Sequence, residues 1–189
     1  MTLSIGQPFP KDVTLAYIPI DISQPVADDV LVCERPIPLS LDTLFAKYPD
    51  GNKAIVSVPG AFTPTCTENH IPPILQHLAD LKKEKNIDVV IILSANDPFV
   101  INAWGKLLVK ANVTPGNADY PKLIFASDPN AKFSQDLELE FDGTAIGFGM
   151  RSARYAIIVG ADNVVKYVAK ESGSGVEVSG YEALSAAKL

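Results

Sequence analysis

Three short apolar runs, Lys53 to Val58, Ile87 to Ser94 and Lys122 to Ala126, limit what this chain can fold into more than any other feature. Each has the length and composition of a strand, and helix-like segments stand between them: Pro64 to about Lys85, and Pro98 to about Lys110. Alternation of this kind predicts a central sheet with helices on both faces. Val13 to Ile18 and Val30 to Cys33 read as further short strands, followed by a helix capped by Ser40 and running through Phe45. Tyr155 to Val159 and Val164 to Val168 flank the turn-prone Gly160-Ala161-Asp162-Asn163 and predict a β-hairpin, with a last helix over Tyr181 to Ala187. Within the first long helical stretch Pro72-Pro73 should produce a kink, and Lys82, Lys83 and Lys85 suit a helix C-terminus.

No linker, repeat or low-complexity tract divides the 189 residues, 47% of them hydrophobic, so one domain over 1–189 with a sizeable core is expected. A net charge of −6 leaves no electrostatic footprint for nucleic acid. The start, Met1-Thr2-Leu3-Ser4-Ile5-Gly6, shows no secretory signal, and the longest purely apolar stretch, Val89 to Leu93, is far too short for a transmembrane segment. A soluble protein follows. Two cysteines do not make a disulfide-stapled scaffold, and without a Cys-x-x-Cys pair a dithiol oxidoreductase has little support.

The chemistry concentrates directly after the first apolar run, in Pro59-Gly60-Ala61-Phe62-Thr63-Pro64-Thr65-Cys66. Thr63 fits a helix cap and Pro64 the first helical position, which puts Cys66 in the first turn. Free N–H groups and the positive end of the helix dipole favour a thiolate there. A buried, inert cysteine is the bland alternative. Thr63 shares a helix face with Cys66 and offers a hydroxyl, while Pro59 can rigidify the turn and shield the sulfur.

Pro59-x-x-x-Thr63-x-x-Cys66 resembles the peroxiredoxin active-site signature, and Val58 to Thr67 is similar to the peroxiredoxin 5 branch. The resemblance continues through Asn96-Asp97-Pro98-Phe99, Ala103-Trp104-Gly105-Lys106, Ala126-Ser127-Asp128-Pro129 and Arg151-Ser152-Ala153-Arg154-Tyr155, nearest to the fungal alkyl hydroperoxide reductases and peroxisomal peroxiredoxins. It implies a thioredoxin-like α/β fold with a central mixed sheet flanked by helices. It also implies a thiol peroxidase that reduces hydrogen peroxide and alkyl hydroperoxides through a Cys66 sulfenic acid, with no cofactor and no metal. Such chemistry needs a positive group near the sulfur. The residues alone leave Arg151 and Arg154 open; the resemblance selects Arg154.

The oxidised Cys66 must then be resolved. This chain has no cysteine after Cys66, which excludes the intramolecular route of animal-type relatives. The resemblance points to Cys33, reaching Cys66 of the partner subunit in a homodimer, with thioredoxin as reductant. If Cys33 is a spectator, a one-cysteine enzyme recycled by glutathione results. A noncatalytic redox-sensing or holdase module of the same fold is the rival from another class.

Other features carry less. His70, four residues after Cys66, could act as a base, and Cys33, Cys66, His70 and His77 supply zinc-ligand types without the usual paired spacing. Gly147-x-Gly149 lacks the third glycine of a dinucleotide fingerprint and reads as a flexible connection. Trp104 is expected in the core, with a place in the peroxide site or dimer contact as the alternative. The resemblance puts Phe62 at the apolar mouth and the dimer interface. The C-terminal Ala187-Lys188-Leu189 resembles the peroxisomal address, against an ordinary helix end in a cytoplasmic protein.

Overall fold

The computed structural model describes residues 2–27 and 32–189. Seven strands form one mixed sheet: β1 (Thr14–Tyr17), β2 (Ile37–Ser40), β3 (Asn52–Ser57), β4 (Ile87–Ser94), β5 (Lys122–Ser127), β8 (Tyr155–Val159) and β9 (Val165–Lys170), in the order β2-β1-β5-β4-β3-β8-β9. The centre, β5-β4-β3, is parallel, and the flanking strands pair antiparallel. β6 (Glu140–Gly143) and β7 (Gly149–Ser152) make a separate antiparallel hairpin.

The central strands lie between two apolar layers, which is why they show continuous apolar runs instead of alternation. Successive side chains take opposite faces. Val56, Val90, Ile92, Phe125 and Ile158 pack with α2 (Ile71–Gln76), α3 (Leu78–Lys85), α4 (Pro98–Asn112) and α6 (Tyr181–Ala186). Ile55, Ile91, Ile124 and Ile157 face the other layer with α1 (Leu41–Ala46) and the Phe133 of α5 (Lys132–Asp136). The expected α/β class with a mixed sheet and helices on both faces is therefore present. Ser40 caps α1 by accepting from the Thr43 N–H, and Asp97 caps α4 ahead of Pro98.

Several local expectations change. The strand expected over Val30 to Cys33 lies in part outside the described residues, and Val32 and Cys33 are not in a strand. The helix expected from Pro64 to Lys85 consists of a π-helical turn (Thr65–His70), α2 and α3, with the break at His77 (φ −113°, ψ 25°) instead of a kink at Pro72-Pro73. Both prolines sit in the first turn of α2, where a missing N–H is tolerated. They cannot donate to the carbonyls four residues back, Glu68 and Asn69, which accounts for the wider turn before them. Gly147 and Gly149, with φ of 79° and 66°, belong to the β6–β7 hairpin and not to a flexible connection.

Candidate active site

The Cys66 turn stands beyond the C-terminal end of β3, in the zone where open parallel sheets hold their ligands. The preceding loop is tied to its neighbours. Val58 N–H donates to the Leu93 carbonyl, and the Asn96 Oδ1 accepts from the Ala61 N–H (2.8 Å) and the Ser94 hydroxyl (2.8 Å). The Ser127 hydroxyl holds the Asn96 carbonyl, and the Ser152 hydroxyl donates to the Val58 carbonyl at 3.0 Å. The ends of β4, β5 and β7 thus fix the loop. Phe62, exposed in the left-handed region at φ 63°, turns the chain toward Thr63.

Thr63 does not cap the helix with its side chain, contrary to expectation. Its hydroxyl instead donates back to the Gly60 carbonyl at 2.8 Å, while its own carbonyl accepts from the Thr67 N–H at 2.9 Å. With its proton committed, Thr63 Oγ1 presents only lone pairs. Cys66 lies in the first turn as expected, where the amides ahead of Thr67 have no carbonyl one turn back within the helix. It is fully buried.

Arg154 arrives from the segment before β8 and is 7% exposed. Its Nη1 donates to Cys66 Sγ at 3.4 Å and to His70 Nδ1 at 3.0 Å. Its Nε is buried without a hydrogen-bond partner among the described residues. Arg151, the rival, is engaged elsewhere: Nε donates to the Phe148 carbonyl at 2.8 Å and the guanidinium stacks over the Phe148 ring. Burial pushes the His70 pKa down to about 4, with the Arg154 charge adding to it and the Ser179 hydrogen bond and Glu171 opposing. The ring is neutral at physiological pH.

Pro59, Thr63 and Arg154 line a cleft of about 650 Å³ together with Phe141, Ile146 and Phe148 of the β6–β7 hairpin and with Lys170 and Glu171. Cys66 lies beneath it in contact with Arg154. Cys33 is exposed, and both cysteines are free thiols. Trp104 is core: it meets Phe125 edge-on and its Nε1 donates to Thr67 Oγ1 at 3.1 Å, bracing the turn from behind. The zinc-ligand types are not gathered. His77 pairs with Asp80 and stacks on Tyr181, and no group of three or more His, Cys, Asp or Glu able to hold a metal occurs among the described residues. Asn96, Ser179 and Glu171 were without a role in the sequence. Asn96 had a signal in its place after the strongest strand; Ser179 and Glu171 had none.

The family model described as Redoxin matches residues 5–184. A Lipomyces kononenkoae protein, provisionally named a peroxisomal peroxiredoxin, is 48% identical over 179 residues, 95% of this chain and 97% of that one. Peroxiredoxin Pen c 3 of Penicillium citrinum is 37% identical, covering 91% of this chain and 90% of its own. The chain belongs to the peroxiredoxins. The peroxiredoxin fold agrees: reduced Prx3 of Vibrio vulnificus, solved in complex with hydrogen peroxide, superposes over 98% of this chain and 95% of that one with a TM-score of 0.73 at 29% identity. This peroxiredoxin is accordingly a thiol peroxidase, an oxidoreductase with a thioredoxin-like fold, and the noncatalytic module is set aside. No helix among the described residues is long and apolar enough to cross a membrane.

Proposed function

We propose that Cys66 is the thiol that attacks the peroxide, within a single thioredoxin-like domain of the peroxiredoxin 5 branch. The contact of Arg154 Nη1 with a fully buried Cys66 sulfur carries this reading. A thiolate there has a fixed cation beside it, in a site where electrostatic interactions are weakly screened. Sγ attacks the terminal oxygen; an S–O bond forms as the O–O bond breaks, two electrons pass from sulfur, and the departing alkoxide or hydroxide takes a proton to leave as alcohol or water. Cys66 becomes the sulfenic acid.

Each neighbour has a role in that step. Thr63 Oγ1, already donating to Gly60, accepts from the peroxide O–H. The unpartnered Arg154 Nε and the first-turn amides donate to the oxygens on which charge develops. Pro59 covers one side of the cleft and limits water. A volume of about 650 Å³ is within the range of organic ligand sites, which suits alkyl hydroperoxides as well as hydrogen peroxide.

Cys33 of the partner subunit, in a homodimer, then attacks the Cys66 sulfenic sulfur, forming a disulfide and releasing water, and thioredoxin reduces that disulfide. The exposure of Cys33 supports its reach to another chain, and burial of Cys66 means its turn opens first. A peroxisomal location is supported by Ala187-Lys188-Leu189 and by the name of the Lipomyces relative. Peroxide consumption with thioredoxin and, separately, with glutathione tests the cycle. Cys66→Ser should abolish consumption; undiminished consumption would refute the assignment. Cys33→Ser should lose the disulfide-linked dimer and thioredoxin-driven turnover. Retention of both would refute Cys33 as the resolving thiol, and turnover with glutathione but not with thioredoxin would identify a one-cysteine enzyme.

A further inference from the structure

The proposed mechanism uses Arg154 but not the buried histidine beside it, and that histidine is held at both ends. We propose that His70 is a positioning residue: fixed in its Nε2–H tautomer by the carbonyl of Ser179, it aims the Arg154 guanidinium at the Cys66 sulfur through Nδ1. The inference rests on Arg154 serving the attacking Cys66.

Donor and acceptor chemistry leaves one solution. A guanidinium only donates, so the 3.0 Å contact between Arg154 Nη1 and His70 Nδ1 requires an unprotonated Nδ1. A carbonyl only accepts, so the 3.0 Å contact between His70 Nε2 and Ser179 requires a proton on Nε2. The two ends demand the same tautomer independently. Nη1 carries two hydrogens, and with one on His70 Nδ1 the other lies on Cys66 Sγ at 3.4 Å. The imidazole thereby sets the rotation of the guanidinium at the atom that meets the sulfur.

The support extends outward. Glu171 Oε1 accepts from the Val178 N–H, the Ser179 N–H and the Ser179 hydroxyl at 2.8 to 2.9 Å, which fixes the carbonyl that His70 uses. The Glu171 N–H donates to the Arg154 carbonyl at 2.9 Å, closing a ring of contacts from the end of β9 back to the arginine. The charged groups acting on the imidazole are Arg154, from the approach to β8, and Glu171, from the connection after β9. A charged ring would turn an N–H toward the guanidinium, and burial opposes that form.

The test has two arms. Nitrogen NMR of the reduced protein, with only two histidines to assign, reads the tautomer directly. A neutral ring protonated on Nε2 between about pH 5 and 8 is expected; Nδ1–H or a charged ring would overturn the proposal whatever any variant does. In peroxide consumption, His70→Asn keeps an acceptor where Nδ1 stood and should stay within about 3-fold of the parent in kcat/KM, whereas His70→Leu should lose roughly 10-fold or more. A ring serving only as filler predicts the reverse order, because leucine replaces its volume better, so equal or reversed losses overturn the proposal. Cys66→Ser is run beside them: its full activity would indict the underlying reading, while its inactivity with equal His70 variants would indict the positioning role alone.

Discussion

Arg154 and His70 are coupled through one nitrogen, and their properties follow from burial. His70 has a folded pKa of about 4 against 6.5 for the free side chain. Because the folded value is depressed, the unfolded chain binds more protons in this window, so stability is full above pH 6.5 and falls as pH drops toward 4. The shift corresponds to roughly 3 kcal/mol. Denaturant unfolding at stepped pH should show this loss in the parent and a flatter profile in His70→Asn; an unchanged profile would contradict a buried neutral imidazole. Arg154→Lys keeps a charge but not the planar fork that reaches Sγ and Nδ1 together. Its rate of Cys66 oxidation, measured by stopped-flow, is expected to fall roughly 100-fold.

At the level of elements, the loop before Cys66 is only as stable as the strand ends that hold it. Asn96→Ala removes the acceptor for the Ala61 N–H and the Ser94 hydroxyl, which costs about 1–3 kcal/mol. Thermal unfolding should shift down by several degrees with a parallel drop in kcat/KM, and no change in either would show the loop to be held by other contacts. Legibility in the sequence varied with how local the determinants are. Ile87–Ser94 is a strand over the residues expected, because burial on both faces leaves a continuous apolar run. β2 was missed: Pro38 speaks against a strand, yet among the described residues β2 is an edge strand paired only with β1, where a proline is tolerated. α5 has only five residues, too few for a helical period to show. The π-turn was invisible because it arises from donors missing at Pro72 and Pro73, not from any pattern of apolar residues. Pro59, Thr63 and Cys66 could be named as candidates from the signature, and Arg154 over Arg151 only from the wider resemblance. The arrangement of Ser179 and Glu171 behind His70 could not, since it joins segments more than a hundred residues apart.

Across the whole molecule, the site is a product of the complete topology. The thiol comes from the end of β3, its loop anchor from the end of β4, its cation from the approach to β8 and the support of that cation from the end of β9. The fold also sets the two cysteines apart, one fully buried beside a guanidinium and the other exposed. Accessibility alone would make Cys33 the thiol that oxidises first; the function proposed above gives that role to Cys66, on the strength of the Arg154 contact. The direct measurement is to treat the reduced protein with one equivalent of peroxide in the presence of dimedone, a trap for sulfenic acid, and to map the adduct by peptide mass spectrometry. The adduct is predicted on Cys66, and an adduct on Cys33 with Cys66 unmodified would contradict the account.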